Sequence, residues 1–146
     1  MGWTRYRSPF MWALYSNMNI KPVYEIEFHH DGRGPELQKV VWKNNGVTLA
    51  GFEYYNPEDT YNEESLKHLK FSGMQVYSMA GDEVHSNQVA NGETRAAIHE
   101  IINSKWLKSY ISNHLGKCKH YQIMFYDEIY DIICEKISFG IGKINV

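Results

Sequence analysis

Three stretches of this chain carry residue types at spacings that could do chemistry, and histidine anchors each of them. The first is His29-His30-Asp31, which runs into Gly32-Arg33-Gly34-Pro35. An imidazole beside a carboxylate titrates near neutral pH and can act as a general base, which is the basis for a hydrolase. If they end a strand, His29 and His30 point to opposite faces, so one of them at most joins a given site. The glycines open backbone N–H groups to an anion, and Arg33 offers a planar fork for phosphate or carboxylate. Gly32, Arg33, Gly34 and His30 are therefore the candidate ligand-binding residues, for a nucleotide or another phosphate compound. Neither a Walker loop nor a dinucleotide fingerprint is present, because the G-x-x-x-x-G-K-[ST] pattern is missing and no helix follows Gly34.

The second stretch is His114, Cys118 and His120, spaced like part of a zinc site, with Cys134 as a conceivable fourth ligand. In a hairpin, Cys134 shares a face with Tyr121 while His120 points the other way, so these four do not converge. The third, His99-Glu100, begins like H-E-x-x-H, but Asn103 stands where the second histidine belongs, and His99 reads as a surface or boundary residue. Asp127, Glu128 and Asp131 cluster near a hairpin tip, where carboxylates are usually solvated. No catalytic residue, metal or cofactor is assigned on these grounds, and the balance leans away from an enzyme.

Aromatic residues are the compositional outlier, with 11 Tyr, 6 Phe and 4 Trp. Such residues suit a β-rich core or an interface. Trp3, Tyr6, Phe10 and Trp12 lie in residues 1–17, which read either as a leader or as an arm that docks on a partner. They are the candidate interface residues, and residues 18–146 form the single domain.

A net charge of −2 argues against a nucleic-acid binder that works by bulk phosphate neutralisation. The middle third is acidic and would suit a basic partner surface. No apolar run approaches the ~18 residues of a membrane span. Cys118 and Cys134 form no CxxC pair or disulfide framework, which favours a reducing, cytoplasmic setting.

The elements that must position these residues follow from hydrophobic periodicity. Tyr24, Ile26 and Phe28 alternate with charged residues, as on a half-buried strand. Asn45-Gly46 reads as a hairpin turn that sets Trp42 across from Leu49. Leu66 and Leu69 suit a short helix over 63–70 that Gly73 ends, and Met74 to Met79 reads as a strand with a weaker partner at 83–89. Ala97, Ile98, Ile101 and Ile102 suit a helix over 93–102, and Ser104 caps a second one that runs to Gly116. His120 to Ile137 forms a hairpin in which Tyr121, Ile123, Phe125, Tyr130, Ile132 and Cys134 share the buried face. The pairs expected there are Ile123 with Ile132 and Tyr121 with Cys134.

The expected fold is therefore α+β, an antiparallel sheet built from hairpins with two or three helices on one face. No segment carries the signature of a named family. The leading functional expectation is a small non-catalytic binding protein, inhibitor- or immunity-like, that recognises a protein partner or itself as a homo-oligomer. A nucleotide or phosphate-compound binder is second, and a hydrolase using His29 or His30 with Asp31 is third.

Overall fold

Seven strands form one antiparallel sheet in the computed structural model, which describes residues 19–30, 35–54, 56–85, 94–110 and 112–144. In chain order they are β1 (Asn19–Val23), β2 (Glu36–Lys43), β3 (Gly46–Phe52), β4 (Lys67–Gly81), β5 (Ile98–Ile102), β6 (Lys119–Met124) and β7 (Glu128–Ile141). Their order across the sheet is β1-β5-β6-β7-β4-β3-β2, which leaves β1 and β2 as the edges. Pro22 lacks an N–H and sits on the β1 edge, where a sheet tolerates it.

The expected α+β class is corrected: the protein is mostly β. Among the described residues there is one four-residue helix, α1 (Lys105–Lys108), and two 3₁₀ turns at Glu63–Ser65 and Asn113–Lys117. Ser104 does cap α1, its hydroxyl oxygen accepting the Leu107 N–H at 3.1 Å, but the helix stops at Lys108 rather than Gly116.

The misassigned helices have physical causes. Leu66 and Leu69 have helical spacing but serve different cores: Leu69 enters the main one, and Leu66 packs with Ala50 and Phe52 in a second. From Lys67 the chain is strand. β5 is paired on both sides, with β1 and β6; His99 and Ile101 are buried on one face and Ile98 on the other, where only Glu100 and Ile102 keep some exposure. A strand buried on two faces loses the clean alternation that marks a half-buried one, and its apolar run then resembles a helix. The strand expected at Tyr24 to Phe28 is instead a turn, with Tyr24 at φ 52° and the Phe28 N–H donating to the Tyr24 carbonyl at 2.9 Å. The partner strand expected at 83–89 does not begin, since Glu83 and Val84 lie in a turn after β4; 86–93 fall outside the described residues.

The other two expected hairpins exist, each displaced by two residues. Trp42 pairs with Val47 rather than Leu49, and Asn44-Asn45 makes the turn, with Asn44 at φ 57°. Gly46 opens β3 because a Cβ there would overlap the Phe71 carbonyl. In the second hairpin Ile123 pairs with Tyr130 and Tyr121 with Ile132. A two-residue shift keeps every side chain on its face, so Tyr121, Ile123, Tyr130, Ile132 and Cys134 are all in the core as expected.

β4 and β7 turn a corner together. Gly73 has φ 62°, and a Cβ there would stand 2.9 Å from the Glu135 side chain. On β7, Ile132 and Cys134 enter the core before this corner and Ile137 and Phe139 after it, so the inward set changes parity. Glycine at a bend of this kind lets a sheet roll. The roll brings Leu49 of β3 and Ile98 of β5, far apart in strand order, into one core around Phe28 and Phe125.

Candidate functional site

On the outer face of the sheet, a strip of polar side chains is buried across three strands. His99 of β5 is laterally paired with Gln122 of β6, and Gln122 with Asp131 of β7. One residue pair further along the same face lies His120. Its Nε2 is 2.8 Å from Asp131 Oδ1, and its Nδ1 is 2.7 Å from Ser104 Oγ. His85, from the turn after β4, places Nε2 2.8 Å from Asp131 Oδ2. Gln122 adds a donor to Oδ1 at 3.1 Å. The Trp106 ring of α1 lies over the His120 ring at a centroid distance of 4.8 Å.

The hydrogen-bond pattern assigns the protons. An ionised carboxylate only accepts, so both imidazoles present Nε2–H to Asp131. Ser104 Oγ already accepts the Leu107 N–H, which leaves its own proton for His120 Nδ1. Burial alone would raise the Asp131 carboxyl; the hydrogen bonds from His120 and His85 outweigh it and hold the group at about 2. His99, 1% exposed, is pushed down to about 4 by burial. Its Nε2 meets Thr94 Oγ1, while Nδ1 has no partner among the described residues, so protonating it would bury a charge with an unmet donor.

Ser104, His120 and Asp131 thus stand in the order of a nucleophilic triad. Two observations argue for a clamp rather than a catalyst. Ser104 is 5% exposed beneath α1, and its oxygen is engaged as the helix cap. The network also ties four segments together: the turn after β4, the start of α1, β6 and β7. Bonds of this kind, formed in a low-dielectric setting, stiffen what they join.

The residues singled out in the sequence are dispersed. His30 Nε2 lies 3.3 Å from the Phe125 carbonyl, and its backbone N–H donates to Arg95, so it fastens the 24–30 turn to the hairpin tip. Gly32, Arg33 and Gly34, with Asp31, fall outside the described residues, as do Trp3, Tyr6, Phe10 and Trp12. His99, expected at the surface or boundary, is fully buried. Cys134 faces the core and His120 the outer face; among the described residues no group of three or more His, Cys, Asp or Glu is placed to hold a metal. Asp131 and His85 were missed, Asp131 because it was grouped with the hairpin-tip acids. The signal for it was its parity: it shares the outer face with His120 and Gln122.

A second surface lies at the β2 edge. Trp42 is 55% exposed, and its ring stands edge-on to Tyr77 at 4.7 Å. Tyr77 in turn leans on Tyr130 of the core at 5.6 Å, which braces Trp42 from behind. Val40, two residues before Trp42 on the same strand, is also exposed. The first half of β2 is guarded by a bulge between Leu37 and Lys39 and by the Lys39–Glu63 ion pair at 3.0 Å. The second half, Val40 to Lys43, has no strand on its outer side among the described residues.

The chain matches no protein-family model, no curated protein and no solved structure. Among the described residues no helix is long and apolar enough to cross a membrane.

Proposed function

We propose that this is a small non-catalytic binding protein that recognises a protein surface through the open half of β2. The observation that carries the reading is Trp42, more than half exposed on an edge strand and braced by Tyr77. Trp and Tyr are residue types enriched at interface centres, and Trp42 and Tyr77 stand together here. An edge strand also offers backbone donors and acceptors for a partner strand. The guarded first half of β2 fixes where such pairing could start. An inhibitor- or immunity-type role, in which contact alone blocks or sequesters another protein, fits this surface. A second copy is the simplest partner, because antiparallel pairing of β2 with itself obeys two-fold symmetry. A reducing, cytoplasmic setting fits the two free thiols.

Light scattering after gel filtration tests the proposal on the full chain, with Trp42→Ser and Val40→Lys as variants. The expected result is a dimer for the wild type and monomers for both variants, each still folded and melting cooperatively. A monomeric wild type that captures the same proteins as Trp42→Ser overturns it.

A further inference from the structure

We propose that the outer face of β2, β3, β4 and β7 binds a small phosphate-bearing anion between Lys43, Lys70 and Lys143. Strand pairing builds the site. Thr48, Lys70 and Ser138 are successive ladder partners, so their side chains stand in a row across three strands. His68 and Gly140 make the next row, and the imidazole lies directly on Gly140, where any Cβ would overlap it. These residues line a groove of about 260 Å³, and none of the described residues lining it carries a carboxylate.

The charge pattern is what asks for an anion. Lys39, Lys67 and Lys119 are each matched with a glutamate, at 3.0, 3.1 and 3.7 Å, while Lys21 and Lys136 have no ion pair among the described residues but do not line this groove. Lys43 and Lys70 have no ion-pair partner among the described residues. Lys143 lies near enough to Glu63 to help lower that carboxyl, yet it still borders the groove. A bound dianion would supply the counter-charge that Lys43 and Lys70, bordering the groove, lack among the described residues.

Phosphate fits better than other anions because the groove mixes donors with an acceptor. Lysines and the Thr48 and Ser138 hydroxyls donate to phosphate oxygens. Burial lowers the His68 pKa, which keeps the ring neutral at pH 7 and leaves one nitrogen to accept a P–OH proton. The volume falls just under the ~300–1,000 Å³ of drug-sized pockets, so a compact phosphate compound fits better than a dinucleotide. This site is separate from the β2 rim, since Lys43 and Trp42 alternate to opposite faces of β2.

Thermal unfolding of the full chain, titrated with inorganic phosphate, sulfate and sodium chloride at matched ionic strength, tests the site. The expected result is a saturable rise in melting temperature with phosphate that exceeds both controls. Lys43→Gln and Lys70→Gln are each expected to shift the phosphate midpoint at least about tenfold higher, as loss of one charge-assisted bond implies. Lys21→Gln, on the far edge strand, should leave it unchanged. A wild-type response no greater than that to chloride, or unshifted midpoints in the lysine variants, overturns the site. A sulfate response equal to phosphate overturns the assignment of phosphate.

Discussion

Gln122 and Asp131 face each other across the β6–β7 ladder, and the amide of one donates to the carboxylate of the other at 3.1 Å. With His120 and His85, that gives Asp131 three side-chain donors on two oxygens. Replacing it by Asn keeps the shape but puts an NH₂ where an acceptor must stand, opposite an imidazole N–H. Asp131→Asn should therefore cost about 3 kcal/mol, in the range for breaking a buried charged pair. Urea unfolding followed by tryptophan fluorescence checks this. Ser104→Ala removes the helix cap and the donor to His120, and should cost less, about 1–2 kcal/mol.

Acid sensitivity should begin well above the range of carboxylates. His99 is held near 4 when folded, against 6.5 for a free imidazole. Between those values the unfolded chain binds more protons than the folded one, so stability rises with pH across the window. The contribution is fully present above pH 6.5 and is lost as pH falls towards 4, amounting to about 3 kcal/mol. Asp131, held near 2 against 3.8, adds a second loss only below pH 4. Urea midpoints at pH 7, 5.5 and 4 should fall steadily for the wild type. His99→Leu should flatten the slope between pH 7 and 4, whatever its effect on absolute stability. An unchanged slope would place the acid sensitivity elsewhere.

Much of the sheet was legible from alternation, and the errors show where alternation stops informing. Parity put Tyr121, Ile123, Ile132 and Cys134 on one face correctly, because a face survives any even slip. The register did not follow, since hydrophobic pattern cannot separate Tyr121 opposite Cys134 from Tyr121 opposite Ile132. Turn geometry decides that, and Asn44-Asn45 took the turn in place of Asn45-Gly46 because Gly46 had to pass the Phe71 carbonyl. β5 failed for another reason: His99 and Ile101 are buried on the face opposite Ile98, so buried residues on both faces blur the alternation that marks a strand. The polar strip was hidden by the same burial. Asp131 looks like a solvated acid until β6 brings His120 beside it and the turn after β4 brings His85.

Glycine substitutions should separate close approach from mere flexibility. Gly46→Ala drives a methyl group into backbone that cannot move, at the Phe71 carbonyl of the neighbouring strand. A loss of more than about 2 kcal/mol is expected. Gly73→Ala combines φ 62° with the Glu135 side chain at 2.9 Å; that chain can swing away, so about 1–2 kcal/mol is expected. Gly116→Ala meets nothing within 4 Å and should change stability by a few tenths of a kcal/mol at most. Chemical denaturation of the three single variants checks the order. Equal effects at residues 46 and 116 would mean that β3 and β4 are not packed as closely as the Gly46–Phe71 contact requires.

The two thiols should differ sharply in reactivity. Burial pushes the Cys134 thiol up to about 12 and leaves it within the core, with its Sγ 3.6 Å from the Lys136 carbonyl. The thiolate is the reactive form, so Cys134 should be inert to a disulfide reagent at neutral pH. Cys118 is partly exposed, and burial together with Glu135 raises its thiol too, so it should react slowly rather than not at all. A thiol titration of the native protein should therefore count one slow equivalent, and a second should appear only in urea. Cys118→Ser should abolish the native reaction and leave the urea-dependent one. If Cys134 reacted in the native state as fast as Cys118, the corner at Gly73 would have to open under native conditions, because Cys134 lies just before that bend and pairs with Met74 just after it.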